Sequence, residues 1–449
     1  MIERKFIKPV LFLILLLSFI NNLTAQSNVE KWAPNTKSAI DNLIKNNADQ
    51  IHAYAVFDWD NTCIYGDVQD NLLLYQIENL AFKMTPNEFK YSFTHYTDTG
   101  CEVNLEIPSE NFDKSFCNAE GKPVNIVSLS EDCCSDYKFF YENFRGINPK
   151  AQNNLSLDEI KKTDQFHDFR AKMWFAYAAI YKTFSANVAY TWVMYVTAPG
   201  FSSKEFQSMV EQAIDWGIKR ECGKNYFDSP VSLPGHAGVI SNMSIDNYVL
   251  NSIRPTPEMG SLFKNLEKNK IPVYISTASL QNIVEVFATN PKYGYNLPKN
   301  RVYGLRLKKD ANDKFLPQYD VSGGYTINSM AGKTININNI LVKKYKANPV
   351  MIGGDSDGDT FMMTELSGLN NVKMVNEFKP LQLVFVINRI KSGKIGEISK
   401  IAADELEGKN VGSTLVVMQG RNENIGEWIS TEKTLKLGKS DLKEAKLLP

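Results

Sequence analysis

The sequence predicts an α/β fold: a Rossmann-like parallel sheet core with a large helical cap inserted after its first strand. Three observations predict it. Short apolar runs that stop at acidic or hydroxyl residues recur behind helix-like stretches, the alternation of a parallel sheet covered by helices. The stretch 67–250 breaks that alternation and carries helical spacing instead. The chain of 449 residues, 43% hydrophobic and 22% charged, has the composition of an ordinary globular protein with room for a core and an insertion.

Taken in order, "MIERKFIK" is basic and "PVLFLILLLSFI" is apolar but too short to span a bilayer. With small or neutral residues around a break after Ala25, residues 1–25 read as a secretory signal peptide, the alternative being a membrane anchor. The expectation is an exported protein, in a bacterial periplasm, with no stable membrane insertion after cleavage. Residues 26–66 hold the first part of the core: Ile40, Leu43 and Ile44 keep helical spacing, and "HAYAVFDWD" is a buried strand ending in acids. Residues 67–250 form the cap, where "DNLLLYQIENLAF" and "FHDFRAKMWFAYAAIYKTF" read as helices around a polar, cysteine-bearing stretch. The core resumes over 251–380, with helix "PEMGSLFKNLEKN" before strand "KIPVYIST" and helix "NINNILVKKYKA" before strand "NPVMIGGDSDGD". A C-terminal extension, 381–449, adds the strand-like runs "LQLVFVIN" and "STLVVMQG".

Composition excludes several functions. Fifty basic residues balance fifty acidic ones and no Lys/Arg cluster stands out, so nucleic acid is not an expected partner. The four histidines (His52, His95, His167, His236) lack zinc spacing and no C-x-x-C exists. In an oxidising compartment at least one disulfide is expected among Cys101, Cys117, Cys133 and Cys134.

The chemistry is expected at the strand ends, where open α/β sheets bind ligands. If Asp58, Asp60, Asp355 and Asp359 converge, they cannot stay ionised together without a cation, and hard oxygen donors suit Mg²⁺. Lys333 offers a counter-charge and Thr277 a hydroxyl. Carboxylates, Mg²⁺, a lysine and a hydroxyl are what transfer of a phosphoryl group to a carboxylate requires.

"DWDNT", the strand ending "ISTAS", Lys333 and "GGDSDGD" resemble, in order and spacing, the four motifs of the haloacid dehalogenase superfamily. With "MWFAYAAIY…YTWVMYV" and "IRPTPEMGSLFKNL", they are similar to its exported phosphorylcholine phosphatase branch and, more distantly, to phosphoserine phosphatases. The likeness runs to about Phe378 and leaves out the cysteine-bearing segment and the tail. It implies the haloacid dehalogenase fold and a phosphoric monoester hydrolase acting on a small phosphomonoester. It also implies roles: Asp58 as nucleophile forming an aspartyl-phosphate, Asp60 as general acid/base and, through its backbone carbonyl, a metal ligand. Thr277, with Ser276 as its rival, would hold a phosphate oxygen, Lys333 would be the third-motif lysine, Asp355 a Mg²⁺ ligand, and Asp359 would orient a metal water or the lysine. Trp59 would point into the opposite face.

Other readings stand beside this one. "GDSDG" fits G-x-S-x-G with Ser356 as nucleophile, but no histidine follows His236 to complete that order. An Asp-x-Asp is by itself a common solvated strand end. Trp174, Tyr177 and Tyr181 share a helical face, followed by Tyr190, Trp192 and Tyr195; core packing is the default, and a cage for a quaternary ammonium, with Trp174 and Tyr177 as substrate contacts, is the alternative. No cap arginine stands out to hold the carboxylate of phosphoserine, Arg170 and Arg220 being the options. A catalytically silent binding protein on the same fold is the rival of another class, and intact Asp58 and Asp60 speak against it.

Overall fold

The computed structural model describes residues 30–97, 104–106, 111–244, 249–250, 252–409 and 412–445. The expected signal peptide and Cys101 lie outside the described residues. The described residues from Trp32 onward form one compact unit. No helix among the described residues is long and apolar enough to cross a membrane.

Helix α1 (Pro34–Asn47) starts on a proline at its first turn and buries Ile40, Leu43 and Ile44, the spacing of one helical face. Strand β1 (Ala55–Phe57) is fully buried and ends at Asp58. The chain then leaves the core through Ile64–Tyr65, which pairs antiparallel with Arg254–Pro255 on the way back, so the two form the stem of the cap. Gly66 at the exit has φ +85°, and a Cβ there would lie 2.8 Å from the Ser252 carbonyl oxygen, which leaves glycine as the residue that fits.

The cap carries helices α2 (Val68–Asn79), α3 (Pro86–Thr94), α4 (Ile126–Asn143), α5 (Asp164–Thr183), α6 (Ala186–Thr197) and α7 (Ser203–Lys219). Each starts on a side chain that accepts a backbone N–H: Asp67, Thr85, Asn125, Thr163, Ser185 and Ser202. The cap has its own apolar core, in which Phe89 stacks on Tyr137 at 4.2 Å. Lys172, fully buried there, is held by Asp132 at 2.7 Å and Asp168 at 2.8 Å.

The core resumes with α8 (Pro257–Lys268), β2 (Val273–Leu280), α9 (Gln281–Thr289) and β3 (Val302–Leu305). Helix α10 (Ala331–Asn336) runs through a π turn (Ile337–Val342) into Lys343–Tyr345, and β4 (Met351–Gly354), α11 (Asp357–Glu365), β5 (Leu383–Ile387), α12 (Lys394–Leu406) and β6 (Leu415–Gln419) follow. The sheet is parallel throughout, in the order β6-β5-β4-β1-β2-β3. The two strand-like runs of the tail are therefore two strands of the main sheet. Alternate residues face opposite ways. Ala55, Phe57, Leu383 and Phe385 pack on α1, α8 and α9, whereas Val56, Val384 and Val386 pack on the α10–π segment, α11 and α12. Four short strands, β7 (Arg421–Asn422), β8 (Glu427–Trp428), β9 (Thr434–Leu435) and β10 (Leu442–Lys443), close the chain as a second sheet ordered β8-β7-β9-β10.

Cys63, Cys117, Cys133, Cys134 and Cys222 are free thiols. No bridge forms among Cys117, Cys133 and Cys134: neighbouring positions on α4 point to different surroundings, Cys133 into the cap core and Cys134 toward the Ser130 hydroxyl.

Candidate active site

Strand order reverses between β1 and β4, which opens a crevice at their carboxyl ends. A cavity of about 600 Å³ lies there, and Asp58, Asp60, Lys333, Asp355 and Asp359 line it. Asp58 still belongs to the ladder, its N–H donating to the Gly353 carbonyl at 2.9 Å, so its carboxylate leaves the sheet beside β4. Trp59 turns into the core against Phe287 and Tyr295, which puts Asp58 and Asp60 on the other side.

Lys333 is buried at the start of α10 and donates to Asp58 Oδ1 at 2.6 Å and to Asp359 Oδ1 at 2.7 Å. The second oxygen of Asp359 accepts the backbone N–H groups of Asp355 and Ser356 at 3.0 and 3.1 Å, so this carboxylate is fully engaged. Thr62 donates between Asp58 Oδ2 at 3.0 Å and Asp355 Oδ1 at 3.3 Å. Those two oxygens are the pair with capacity to spare. The ligand oxygens of Asp58, Asp355 and Asp359 all lie within 4.8 Å of one another and all three residues are buried. A buried, all-oxygen set of this kind fits Mg²⁺ and offers no soft donor. The Asp60 carboxylate is not part of that group.

Burial, with Asp359 beside it, pushes the Asp58 carboxyl up to about 8 against the pull of Lys333. Burial also raises Asp60 well above the usual carboxylate range, with Asp67 and Asp58 adding to it. Asp60 accepts from the Val68 N–H at 2.8 Å and from the Ser279 hydroxyl at 2.7 Å. Burial would raise Asp355 as well, but Lys391 and Arg389 outweigh it and hold this carboxyl at about 2.

The sequence-predicted residues fall in different places. Thr277 is fully buried; its hydroxyl accepts from the Ser279 N–H at 3.0 Å and points to Asp60 at 3.4 Å. Ser276 instead accepts from Asn328 at 3.2 Å, and it is Ser279, missed in the sequence, that reaches the cavity wall. Trp174 and Tyr177, substrate contacts on the alternative reading and core on the default one, are 4% and 8% exposed and pack on each other inside the cap core, and neither lines the cavity. This placement has a geometric cause. Tyr177 turns its hydroxyl onto Asp70 at 2.6 Å, and the aromatic that reaches the cavity is Tyr181, one turn further along α5. Tyr190 of α6 lines it too and donates to Asp67 Oδ2 at 2.6 Å.

Arg389, Lys391 and Arg421 come from the C-terminal extension. Arg389 and Lys391, in the segment after β5, both line the cavity and both meet Asp355 Oδ2, Lys391 at 3.4 Å. Arg421 of β7 donates to Asn61 Oδ1 at 3.1 Å, bracing the loop after Asp60, where Asn61 has φ +59°. A lone cation in a polar stretch carries no local signal; a basic pair directly after a buried strand was the one available clue.

No family model matches the chain. It is 22% identical over 394 residues to a phosphorylcholine phosphatase of Pseudomonas aeruginosa, covering 82% of this chain and 86% of that one. The solved structure of a conserved protein of unknown function from Anaerococcus prevotii superposes with a TM-score of 0.76 at 30% identity, over 91% of this chain and 97% of that chain.

Proposed function

We propose that this chain, a haloacid dehalogenase-type phosphoric monoester hydrolase by its motif order, its sheet and its relative, is a Mg²⁺-dependent enzyme that works through an aspartyl-phosphate and prefers phosphorylcholine. The observation that carries the reading is the placement of Asp58. Its carboxylate stands at the end of β1, fixed by Lys333 and Thr62, with Asp60 poised on the same side and the cavity in front.

An oxygen of Asp58 attacks phosphorus and the bond from phosphorus to the leaving oxygen breaks. Asp60, whose burial favours its protonated form, gives its proton to the leaving oxygen, which departs as the alcohol. Asp60, now a carboxylate, takes a proton from water as the water oxygen attacks the same phosphorus; the bond to Asp58 breaks and inorganic phosphate is released. Lys333 neutralises charge on Asp58 and on the phosphoryl oxygens throughout. Mg²⁺ held by Asp58 and Asp355 would supply the remaining positive charge for those oxygens.

Tyr181 and Tyr190, with Asp67 behind Tyr190, support a quaternary ammonium on the cap side, where ring faces and a carboxylate attract a cation. The name of the Pseudomonas relative supports the same choice. Phosphoserine is the second reading, favoured by Arg389 and Lys391, which could pair its carboxylate. The leader-like N-terminus supports export.

The test is steady-state hydrolysis of both esters, with and without chelator. The expected result is a higher kcat/KM for phosphorylcholine, no turnover in EDTA with recovery in Mg²⁺, background rates in Asp58→Asn, and inhibition by beryllium fluoride. Full activity in EDTA, or near-normal turnover by Asp58→Asn, would end the mechanism; preference for phosphoserine would end the substrate assignment.

A further inference from the structure

We propose that Arg389 and Lys391 bind the phosphoryl group of the substrate, a second cationic arm opposite Lys333. The inference rests on the Mg²⁺ reading above and adds to it two residues from outside the recognised motifs.

Charge balance is the first argument. Asp58, Asp355 and Asp359 bring three negative charges to the buried cluster. Lys333 and a divalent cation match them. Arg389 and Lys391 then stand as two further positive charges in the same cavity, sharing one oxygen of Asp355 between them. Asp60, Asp67 and Asp357 line the cavity too, but the two cations meet on Asp355, and like charges held side by side there attract a phosphomonoester dianion. The guanidinium also keeps capacity to spare: the Arg389 Nε–H is buried and has no acceptor among the described residues.

The backbone gives an independent argument. Ile390, between the two cations, has φ +56°, a region that β-branched residues rarely occupy. The strain is held in place from several sides. Asn388 Oδ1 accepts the Ile390 N–H at 3.1 Å, Asn388 Nδ2 donates to the Glu432 carbonyl at 2.7 Å, and Lys436 Nζ donates to the Arg389 carbonyl at 3.3 Å. A loop serving only to cross from β5 to α12 has no need of such restraint, and strained residues of this kind cluster at ligand clamps.

Calorimetry of inorganic phosphate binding in saturating Mg²⁺ tests the inference without turnover, on the wild type, Arg389→Gln, Lys391→Gln and Arg389→Lys. The expected result is a phosphate Kd raised on the order of 10- to 100-fold in each Gln variant, the loss of a charged hydrogen-bond donor, with partial recovery in Arg389→Lys. Thermal melts identify a variant that fails to fold, and the Lys391→Gln arm stands if Arg389→Gln does. Unchanged phosphate affinity in both Gln variants overturns the proposal. So does a shift in Mg²⁺ affinity alone in a separate Mg²⁺ titration, which would make the pair a mere counter-charge for Asp355, and so does, in parallel steady-state assays, a KM effect confined to phosphoserine, which would assign the pair to a substituent carboxylate. Should the chain hydrolyse no phosphomonoester, phosphate binding still reads the pair directly, so the two readings fail separately.

Discussion

Asp60 serves two steps with one carboxylate, and its partners are arranged for both. Ser279 and the Val68 N–H hold its oxygens, while burial favours the protonated form that the first step needs. Asp60→Asn keeps these contacts in shape but can neither give nor take the proton. Turnover of phosphorylcholine should fall by about 10²–10⁴-fold, a loss that single-turnover kinetics would divide between phosphorylation and hydrolysis. Tyr181→Ala should raise KM for phosphorylcholine several-fold by removing a ring face of about 1–2 kcal/mol. Trp174→Ala should instead lower Tm and spare KM, and the reverse pattern would return the substrate contact to Trp174. Asp58, Asp355 and Asp359 were legible because each sits at a strand end or in the first turn after one. Tyr181 and Trp174 share a helical face, and periodicity reports that face but not which neighbour covers each turn of it. Arg421 was not legible, since nothing local distinguishes it from a solvated cation, and Arg389 offered only its place in a basic pair after a buried strand.

At the scale of elements, the small C-terminal sheet is a brace. Arg421 reaches the Asn61 loop and pairs with Glu423, and Lys436 pairs with Glu423 at 2.8 Å while holding the Arg389 carbonyl. Burial alone would raise the Glu423 carboxyl, but Arg421 and Lys436 outweigh it and hold it at about 2, below its ordinary 4.5. A group whose pKa is lower in the folded chain stabilises above its unfolded pKa and loses that contribution as the pH falls through the folded one. The Tm advantage of the wild type over Glu423→Gln should therefore be full above about pH 4.5 and close as the pH drops toward 2, as paired melts would show. An advantage that grew on acidification would contradict the brace. The π turn after Lys333 is another element that the apolar pattern of "NINNILVKKYKA" did not disclose, because a helix with one widened turn keeps nearly the same spacing.

At the scale of the whole molecule, the change in periodicity at Asp67 and its return near Leu250 announced a helical stretch between strands of one parallel sheet, and β1 and β2 do pair on either side of it. The way the helical stretch joins the sheet was not legible, because the stem is two residues on each side. The cap is held by its own apolar cluster and by Lys172, which lies away from the cavity. Lys172→Met would leave Asp132 and Asp168 buried without their cation, and denaturant titration should show a loss of about 3–5 kcal/mol. The protein that remains folded should keep the wild-type KM. The brace has a consequence in time. Asn61 and Arg421 touch across 360 residues of sequence. At about 5–20 residues per second a ribosome needs roughly 20–70 s to travel from one to the other. Throughout that interval the acidic pair exists without the contact that braces its loop, so the site's surroundings are complete only once the final strands are made.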